Sequence, residues 1–234
     1  MKKITALFLT SVLIFTFAAC SNNAAEKEET QPLSENQTVS KPSDKNTIQA
    51  GKTLVVYFSV PETDKPDNMT QEEDNSVVVI DGEVLGNTQY VADVIKDNTG
   101  ADLFRIEPKT PYTTNHSELV DLAKEEQNSN ARPEIKDSIE NFEQYDTVFV
   151  GYPNWWGDMP MILYTFFDTY DFSGKTIIPF NTHGGSGFSD TINTIKELEP
   201  DANVNDDGYT VSRNDVQEAE PEIIVWLGDL GYSK

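Results

Sequence analysis

The chain has 234 residues, of which 37% are hydrophobic and 10% aromatic, so it can form one sizeable domain with a buried core. Its 40 acidic residues outnumber its 17 basic residues, and the formal net charge is −23. This charge disfavours binding to nucleic acid or anionic lipid through the protein surface, because phosphate would be repelled, and it favours a basic protein partner or simply solubility.

The first twenty residues have the three-part layout of an export signal. Two lysines precede an apolar run over Ile4–Ala19, which is shorter than the ~20 residues of a comfortable membrane span. The segment Phe17–Cys20 (FAAC) resembles the lipobox of bacterial lipoproteins, with Phe17 where leucine is usual. The resemblance implies a lipoprotein signal peptide over residues 1–20, a lipid on Cys20, and an extracytoplasmic protein anchored to the bacterial cell membrane. An ordinary cleaved signal, with Cys20 as a bystander, is the alternative.

Residues 21–50 contain almost no large apolar side chains and are rich in Ser, Asn, Glu, Gln and Lys. Such a segment cannot bury enough surface to fold, so it is predicted to be a disordered tether. The folded domain is then expected over residues 51–234. Cys20 is the only cysteine, so no intrachain disulfide can form.

From Lys52 onward, apolar runs that predict buried strands alternate with helical patterns. The predicted strands are Leu54–Phe58, Asp102–Glu107, Asp146–Gly151, Lys175–Asn181 and a last one around Asn203–Val211. The predicted helices are Asn87–Asp97, Ser117–Gln127, Met159–Tyr170, Ser189–Leu198 and Val216–Leu230, the last with Ile223, Ile224, Trp226 and Leu227 facing inward. Continuous apolar strands separated by helices predict an α/β fold, a three-layer α/β/α domain with a five-stranded parallel sheet. Ligands of such sheets bind outside the carboxyl ends of the strands, near the topological switch point.

A long insertion separates the first predicted strand from the first predicted helix. It begins after Ser59, and its acidic, proline-containing part over residues 60–75 predicts a surface loop. The pair Asp81-Gly82 between two apolar runs predicts a tight β-hairpin. The chain returns at Gly86-Asn87-Thr88, where hydroxyl and backbone N–H groups at a helix N-terminus suit phosphate binding. Taken alone, this triplet is more often a turn with a helix cap.

Two adjacent tryptophans follow the third predicted strand. Pro153, Asn154 and Gly157 indicate a turn, so Trp155 and Trp156 are not both expected in the core. A flat aromatic side chain held at the carboxyl end of a strand suits stacking on a planar heterocycle. Core packing is the alternative for one of the two indoles.

A glycine-rich loop follows the fourth predicted strand. Its candidate residues are Thr182, His183, Gly184, Gly185, Gly187 and Phe188. Three glycines in four positions indicate either a close approach of the backbone to a ligand or a flexible loop. His183 has no other His and no Cys near it in sequence, which argues against a metal site, and no GxSxG motif supports a hydrolase triad.

Together, these three loops resemble those of the flavodoxin-like family, the bacterial flavodoxin-type FMN proteins, over about Lys52 to Tyr232. In that family a loop of the type S-x-[ST]-G-N-T holds the FMN phosphate; Ser59 matches its start and Gly86-Asn87-Thr88 its end. The resemblance implies FMN as the cofactor, the strand order 2-1-3-4-5 with the hairpin inserted after the first strand, and FMN at the switch point. It also implies further cofactor-binding residues beside the flavin ring, which are Pro153, Asn154, Trp155, Trp156, Gly157 and the six candidates of the glycine-rich loop.

The resemblance implies an electron carrier between redox partner proteins outside the cytoplasmic membrane, with an acidic surface suited to basic docking surfaces. An NAD(P)H-dependent FMN or quinone reductase is one alternative, although NAD(P)H is scarce outside the cell. A flavin-free interaction module is another, and the intact loops disfavour it. A phosphate held without cations and an acidic surface both disfavour the anionic reduced flavin, so a low reduction potential is expected.

Overall fold

A computed structural model describes residues 51–232; the predicted signal peptide, Cys20 and the predicted tether lie outside the described residues. The strands are β1 (Lys52–Tyr57), β2 (Val77–Ile80), β3 (Glu83–Gly86), β4 (Asp102–Arg105), β5 (Tyr145–Pro153), β6 (Thr176–His183), β7 (Asn203–Val204) and β8 (Tyr209–Ser212). The helices are α1 (Gln71–Ser76), α2 (Asn87–Thr99), α3 (His116–Ser129), α4 (Met161–Thr169), α5 (Thr191–Leu198) and α6 (Glu220–Asp229), with 3-10 turns at Phe142–Gln144 and Val216–Glu218. None of the helices in this part of the chain is long and apolar enough to cross a membrane.

The central sheet is parallel and has the order β4-β1-β5-β6, followed by an edge position that β7 and β8 share. This arrangement agrees with the predicted order 2-1-3-4, and the predicted fifth strand is divided in two. Both short strands pair with β6, one at each end. The division has a local cause, because the Asn205 Oδ1 accepts a hydrogen bond from the Asp207 N–H at 2.7 Å. This Asx turn bends the chain away from the ladder.

The side chains of the central strands alternate between two apolar layers, one on each face of the sheet. Leu54 and Val56 of β1 belong to a cluster that includes residues of α4 and α5, and Val55 belongs to a cluster with α2 and α6. The predicted three-layer α/β/α architecture is therefore confirmed. On α6 the expectation for Ile224 is wrong. Ile223 is fully buried, and Ile224, rotated by about 100° on the helix, is 39% exposed.

The insertion after β1 forms the predicted hairpin, in which β2 and β3 pair antiparallel. Asp81 and Gly82 both have positive φ, 52° and 84°, as the right-handed twist of a two-residue hairpin requires. The acidic part, predicted as a surface loop, contains α1. This helix begins with a capping box in which the Thr70 Oγ1 accepts from the Glu73 N–H and the Glu73 carboxylate accepts from the Thr70 N–H.

Candidate functional site

A cavity of about 280 Å³ lies at the carboxyl ends of β1, β5 and β6. This is the edge of a parallel sheet where the switch-point rule places ligands. The predicted site residues that line it are Ser59, Asn87, Thr88, Pro153, Asn154, Trp155, Trp156, Thr182, His183 and Gly184. Residues from all three predicted loops are thus brought together, although they are up to 125 positions apart in the chain (59 to 184).

The N-terminus of α2 forms part of the cavity wall, where Asn87 and Thr88 line it. Ser59 is buried there, and a Cβ atom added at Gly86 would lie 2.1 Å from the Ser59 Oγ, so only glycine leaves room for this hydroxyl. Gly86 is also the N-cap of α2, and no side chain caps the first-turn N–H groups. The Oγ1 atoms of Thr88 and Thr182 share a hydrogen bond at 2.8 Å. Hydroxyl and backbone N–H donors therefore meet despite the insertion, as an anion site needs.

The insertion and α3 form a further wall of the cavity, which was not predicted from the sequence. Glu62 and Glu72 line it, and both oxygens of the Glu62 carboxylate contact the His116 Nδ1, at 3.0 and 3.1 Å. Asn75 joins this wall to α2, because its carbonyl accepts from the Asn87 Nδ2 at 2.9 Å. The other residues missed on this wall are Val60, Ser76, Leu119, Val120 and Ala123. The amphipathic pattern of α3 and the Thr70-x-x-Glu73 capping box were the available signals.

The two tryptophans have different environments. Trp155 packs edge-on against Phe58 and Tyr112, with ring centroids 5.5 and 5.7 Å apart. Trp156 is 52% exposed, and its Nε1 donates to the Val120 carbonyl at 3.1 Å. Trp155 thus belongs to the core as well as to the cavity wall, and Trp156 offers the accessible indole.

The turn that separates the two indoles is left-handed. Trp155 and Asp158 exchange both backbone hydrogen bonds, and the central residues Trp156 and Gly157 have φ of 55° and 79°. This geometry normally selects Asn-Gly, and a bulky residue at the first central position costs on the order of 1 kcal/mol. Local strain of this kind is frequent at ligand-binding sites.

Asn154 holds the neighbouring loops together. Its N–H donates to the Thr182 carbonyl at 2.8 Å and its Nδ2 donates to the Gly187 carbonyl at 2.9 Å. Its Oδ1 accepts from the Gly157 N–H at 3.1 Å. The amide of Asn154 thus fixes the turn after β5 to the loop after β6.

Five of the predicted residues, namely Gly86, Gly157, Gly185, Gly187 and Phe188, are not part of the cavity lining. Gly157 and Gly187 form hydrogen bonds with the Asn154 side chain, and Gly86 packs closely against Ser59. Phe188 packs against the core on the side of α5, and a Cβ at Gly208 would lie 2.7 Å from its ring. Their positive φ or close packing explains these residue types without a direct ligand contact.

His183 and Arg213 form the wall on the side of β6. The His183 Nδ1 accepts a hydrogen bond from the Gly185 N–H at 2.8 Å, so the proton of the neutral ring is on Nε2. Burial lowers the pKa of His183, and the Asp215 carboxylate opposes this shift. The Arg213 N–H donates to the His183 carbonyl at 2.8 Å. Arg213 was missed because only the pairing of β6 with β8 brings it to this edge.

The comparisons with known proteins agree with this fold. A family model described as Flavodoxin matches residues 77–227. A candidate flavoprotein from Bacteroides eggerthii DSM 20697 is 30% identical, with a TM-score of 0.58, over 77% of this chain and 98% of that one. A second one, from Bacteroides uniformis ATCC 8492, is 26% identical, with a TM-score of 0.55, over 73% and 97% of the two chains.

A flavoprotein from Lactobacillus acidophilus NCFM, solved in complex with FMN, has the same fold. It is 20% identical, with a TM-score of 0.51, over 72% of this chain and 98% of that chain. No curated protein matches the sequence significantly. Because the family model covers more than half of the chain, the chain belongs to the flavodoxin family.

Proposed function

We propose that this protein binds FMN in the cavity and carries electrons between redox proteins. One observation supports the proposal most strongly. Ser59, Thr88 and the uncapped N-terminus of α2 line the same cavity as Trp156 and Thr182–Gly184. FMN has a phosphate at one end and a flat ring at the other, so this arrangement of donors and aromatic surface matches both of its ends.

The donor set suits a phosphate in particular. Hydroxyl groups and N–H dipoles compensate its charge, and no Lys lines the cavity within residues 51–232. The Glu62 and Glu72 carboxylates would repel a phosphate, but Glu62 already binds His116, which reduces its effect when the imidazole is protonated. The residues present therefore fit FMN, and the flavoprotein from Lactobacillus acidophilus, solved with FMN, has this fold.

When bound, FMN would supply the redox chemistry, since it accepts and donates electrons. The residues of this chain would bind and orient it. Ser59 and Thr88 would hold the phosphate, and Trp156 would pack against the ring. The hydrogen bonds of Asn154 would keep the two loops beside the ring at a fixed separation.

The sequence supports a place for this chemistry outside the cytoplasmic membrane. The proposed lipid on Cys20 would anchor the protein, and residues 21–50 would tether the domain to it. The acidic composition favours redox partners with basic docking surfaces.

Anaerobic mixing tests the carrier function. The FMN-loaded protein is reduced with dithionite, freed of excess reductant, and mixed with an oxidised basic haem protein. The carrier function predicts rapid reoxidation of the flavin with matching haem reduction. The oxidised, FMN-loaded protein is mixed separately with NADPH. Rapid bleaching by NADPH, without fast electron transfer to the haem protein, would contradict the carrier and indicate the reductase.

A further inference from the structure

Arg213 is the one Lys or Arg side chain that lines the cavity in the part of the chain the structure describes. Its guanidinium lies against Gly184, where an added Cβ would be 3.3 Å from both Cζ and Nη1. Its backbone N–H is bonded to the His183 carbonyl, so the end of β6 fixes its position. Among residues 51–232 it has no ion-pair partner and its guanidinium makes no hydrogen bond. A cation in a protein with a formal charge of −23 thus remains without a carboxylate partner at this wall.

The other charged groups of the cavity lie on the opposite wall or are neutral. Glu62 and Glu72 belong to the insertion, and Glu62 is bonded to His116. His183 is next to Arg213, but its Nδ1 accepts the Gly185 N–H, so this nitrogen carries no proton and the ring is neutral. Within residues 51–232, Arg213 therefore supplies the one guanidinium or ammonium charge of the cavity lining, while the Asp215 carboxylate, which acts on His183, is not part of that lining.

The chemistry of FMN gives this charge a specific use. Reduction adds two electrons and one proton, which binds at N5, and leaves one negative charge on the N1 side of the ring near neutral pH. The phosphate keeps the same charge in both redox states. A cation near the ring therefore favours the reduced form, whereas a cation near the phosphate favours both forms equally.

We propose that Arg213 stabilises the negative charge of reduced FMN, so that the reduced cofactor binds more tightly, relative to oxidised FMN, than it would without this side chain. This inference rests on the proposed function. It follows from the position of Arg213 beside Gly184, in the loop after β6 that the proposed function places beside the ring, whereas the proposed phosphate donors belong to the loop after β1 and to the start of α2. Arg213 then offsets part of the decrease in reduction potential that the acidic surface causes.

The test compares the reduction potentials of variants. Arg213→Gln removes the positive charge and retains hydrogen bonding, and Arg213→Lys keeps the charge. Arg132→Gln is the control, because it removes a positive charge outside the cavity, where the Arg132 guanidinium pairs with the Asp168 carboxylate at 2.6 Å. The midpoint potential of the FMN-loaded protein is measured by anaerobic dye equilibration. The dissociation constant of oxidised FMN is measured by fluorescence. Thermal melting checks that each variant is folded.

We expect Arg213→Gln to weaken binding of reduced FMN about tenfold relative to oxidised FMN, which lowers the two-electron midpoint by about 30 mV. Arg213→Lys and Arg132→Gln should stay close to the wild-type potential. An unchanged potential in Arg213→Gln, or an equal decrease in Arg132→Gln, would overturn the inference. Equal losses of affinity for oxidised and reduced FMN would also overturn it and place Arg213 at the phosphate. Wild-type protein that fails to bind FMN would refute the proposed function first, before any variant is compared.

Discussion

Trp156 combines three unusual properties at a single residue. It is an indole in a left-handed backbone conformation, it is half exposed, and the Lys124 ammonium lies 5.1 Å from the centre of its ring. The strain at φ 55° is retained although glycine or asparagine would relieve it. The proposed stacking of the flavin on the indole would explain why a large aromatic residue occupies this position. Trp155, in contrast, is explained by its packing against Phe58 and Tyr112.

Alanine substitutions distinguish the two indoles. We expect Trp156→Ala to raise the dissociation constant of FMN about tenfold or more, because stacking of a planar base on an aromatic ring contributes about 1–3 kcal/mol. Trp155→Ala should mainly lower the free energy of unfolding, by about 2 kcal/mol, through loss of its ring contacts. FMN fluorescence titration and chemical denaturation measure the two effects. Flavin fluorescence that is quenched fully in Trp156→Ala and not in Trp155→Ala would reverse the assignment.

Glu199 gives the fold a pH dependence. It is the C-cap of α5, and burial, together with the Asp171 and Asp168 carboxylates, raises its pKa to about 7. Between about pH 4.5 and 7 the folded state binds more protons than the unfolded state at this group, so its contribution to stability falls as pH rises. Because the group is partly exposed, water screens the effect, which should stay below about 1 kcal/mol.

Glu199→Gln is expected to be more stable than the wild type at pH 8 and similar to it near pH 5. Urea denaturation at the two pH values measures this difference, and Glu197→Gln, an exposed acidic residue on the same helix, is the matched control. Equal stabilisation by both substitutions would attribute the effect to total charge rather than to the environment of Glu199.

Among the elements, the N-terminus of α2 has a tight steric requirement. A Cβ at Gly86 would lie 2.1 Å from the Ser59 Oγ, so Gly86→Ala must displace the Ser59 hydroxyl from the helix N-terminus. Loss of a hydrogen bond to a charged group costs about 1.5–3 kcal/mol, so we expect FMN affinity to fall at least about tenfold.

Ser59→Ala should lower FMN affinity similarly, and riboflavin, which lacks the phosphate, should bind the wild type and Gly86→Ala alike. Fluorescence titration with both ligands measures this. A parallel loss of riboflavin affinity in Gly86→Ala would show that the substitution disturbs the ring site and would contradict a phosphate at α2.

The elements also show how much of the fold could be predicted from the sequence alone. The continuous apolar runs of β1 and β5 predicted the layers, and the Asp81-Gly82 pair predicted the hairpin, because both signals are local. The division of the last strand depends on one side-chain bond between Asn205 and Asp207, which no periodicity reveals. Arg213 reaches the cavity only through the register in which Ser212 pairs with His183, a long-range choice that composition does not specify.

The candidate site was predictable to a similar extent. The residue types in the loops after the first, third and fourth predicted strands identified the region, since parallel strands end at one edge. Which indole is accessible could not be predicted, because Trp155 and Trp156 are adjacent in the same turn and their different environments arise only from the folded backbone. The contact of Glu62 with His116 joins an insertion to α3 and likewise had no sequence signal.

For the whole molecule, the charge of −23 predicts how partners dock. Electrostatic attraction raises association rates by about 10–10³-fold at low salt and is screened over roughly 10 Å at 0.1 M salt. Electron transfer from the reduced protein to a basic haem protein should therefore slow at least about tenfold between low and high ionic strength. Stopped-flow measurements over a salt series test this, with an acidic haem protein as the control. Rates with the basic partner that do not respond to salt would contradict electrostatic docking.

Equilibrium binding of FMN tests the central claim most directly. The purified protein is incubated with FMN, separated from free flavin by gel filtration, and examined by visible absorption and fluorescence. We predict a yellow protein with about one FMN per chain, whose flavin fluorescence is strongly quenched by the adjacent indole. A colourless protein that elutes without flavin after incubation with excess FMN would contradict the account.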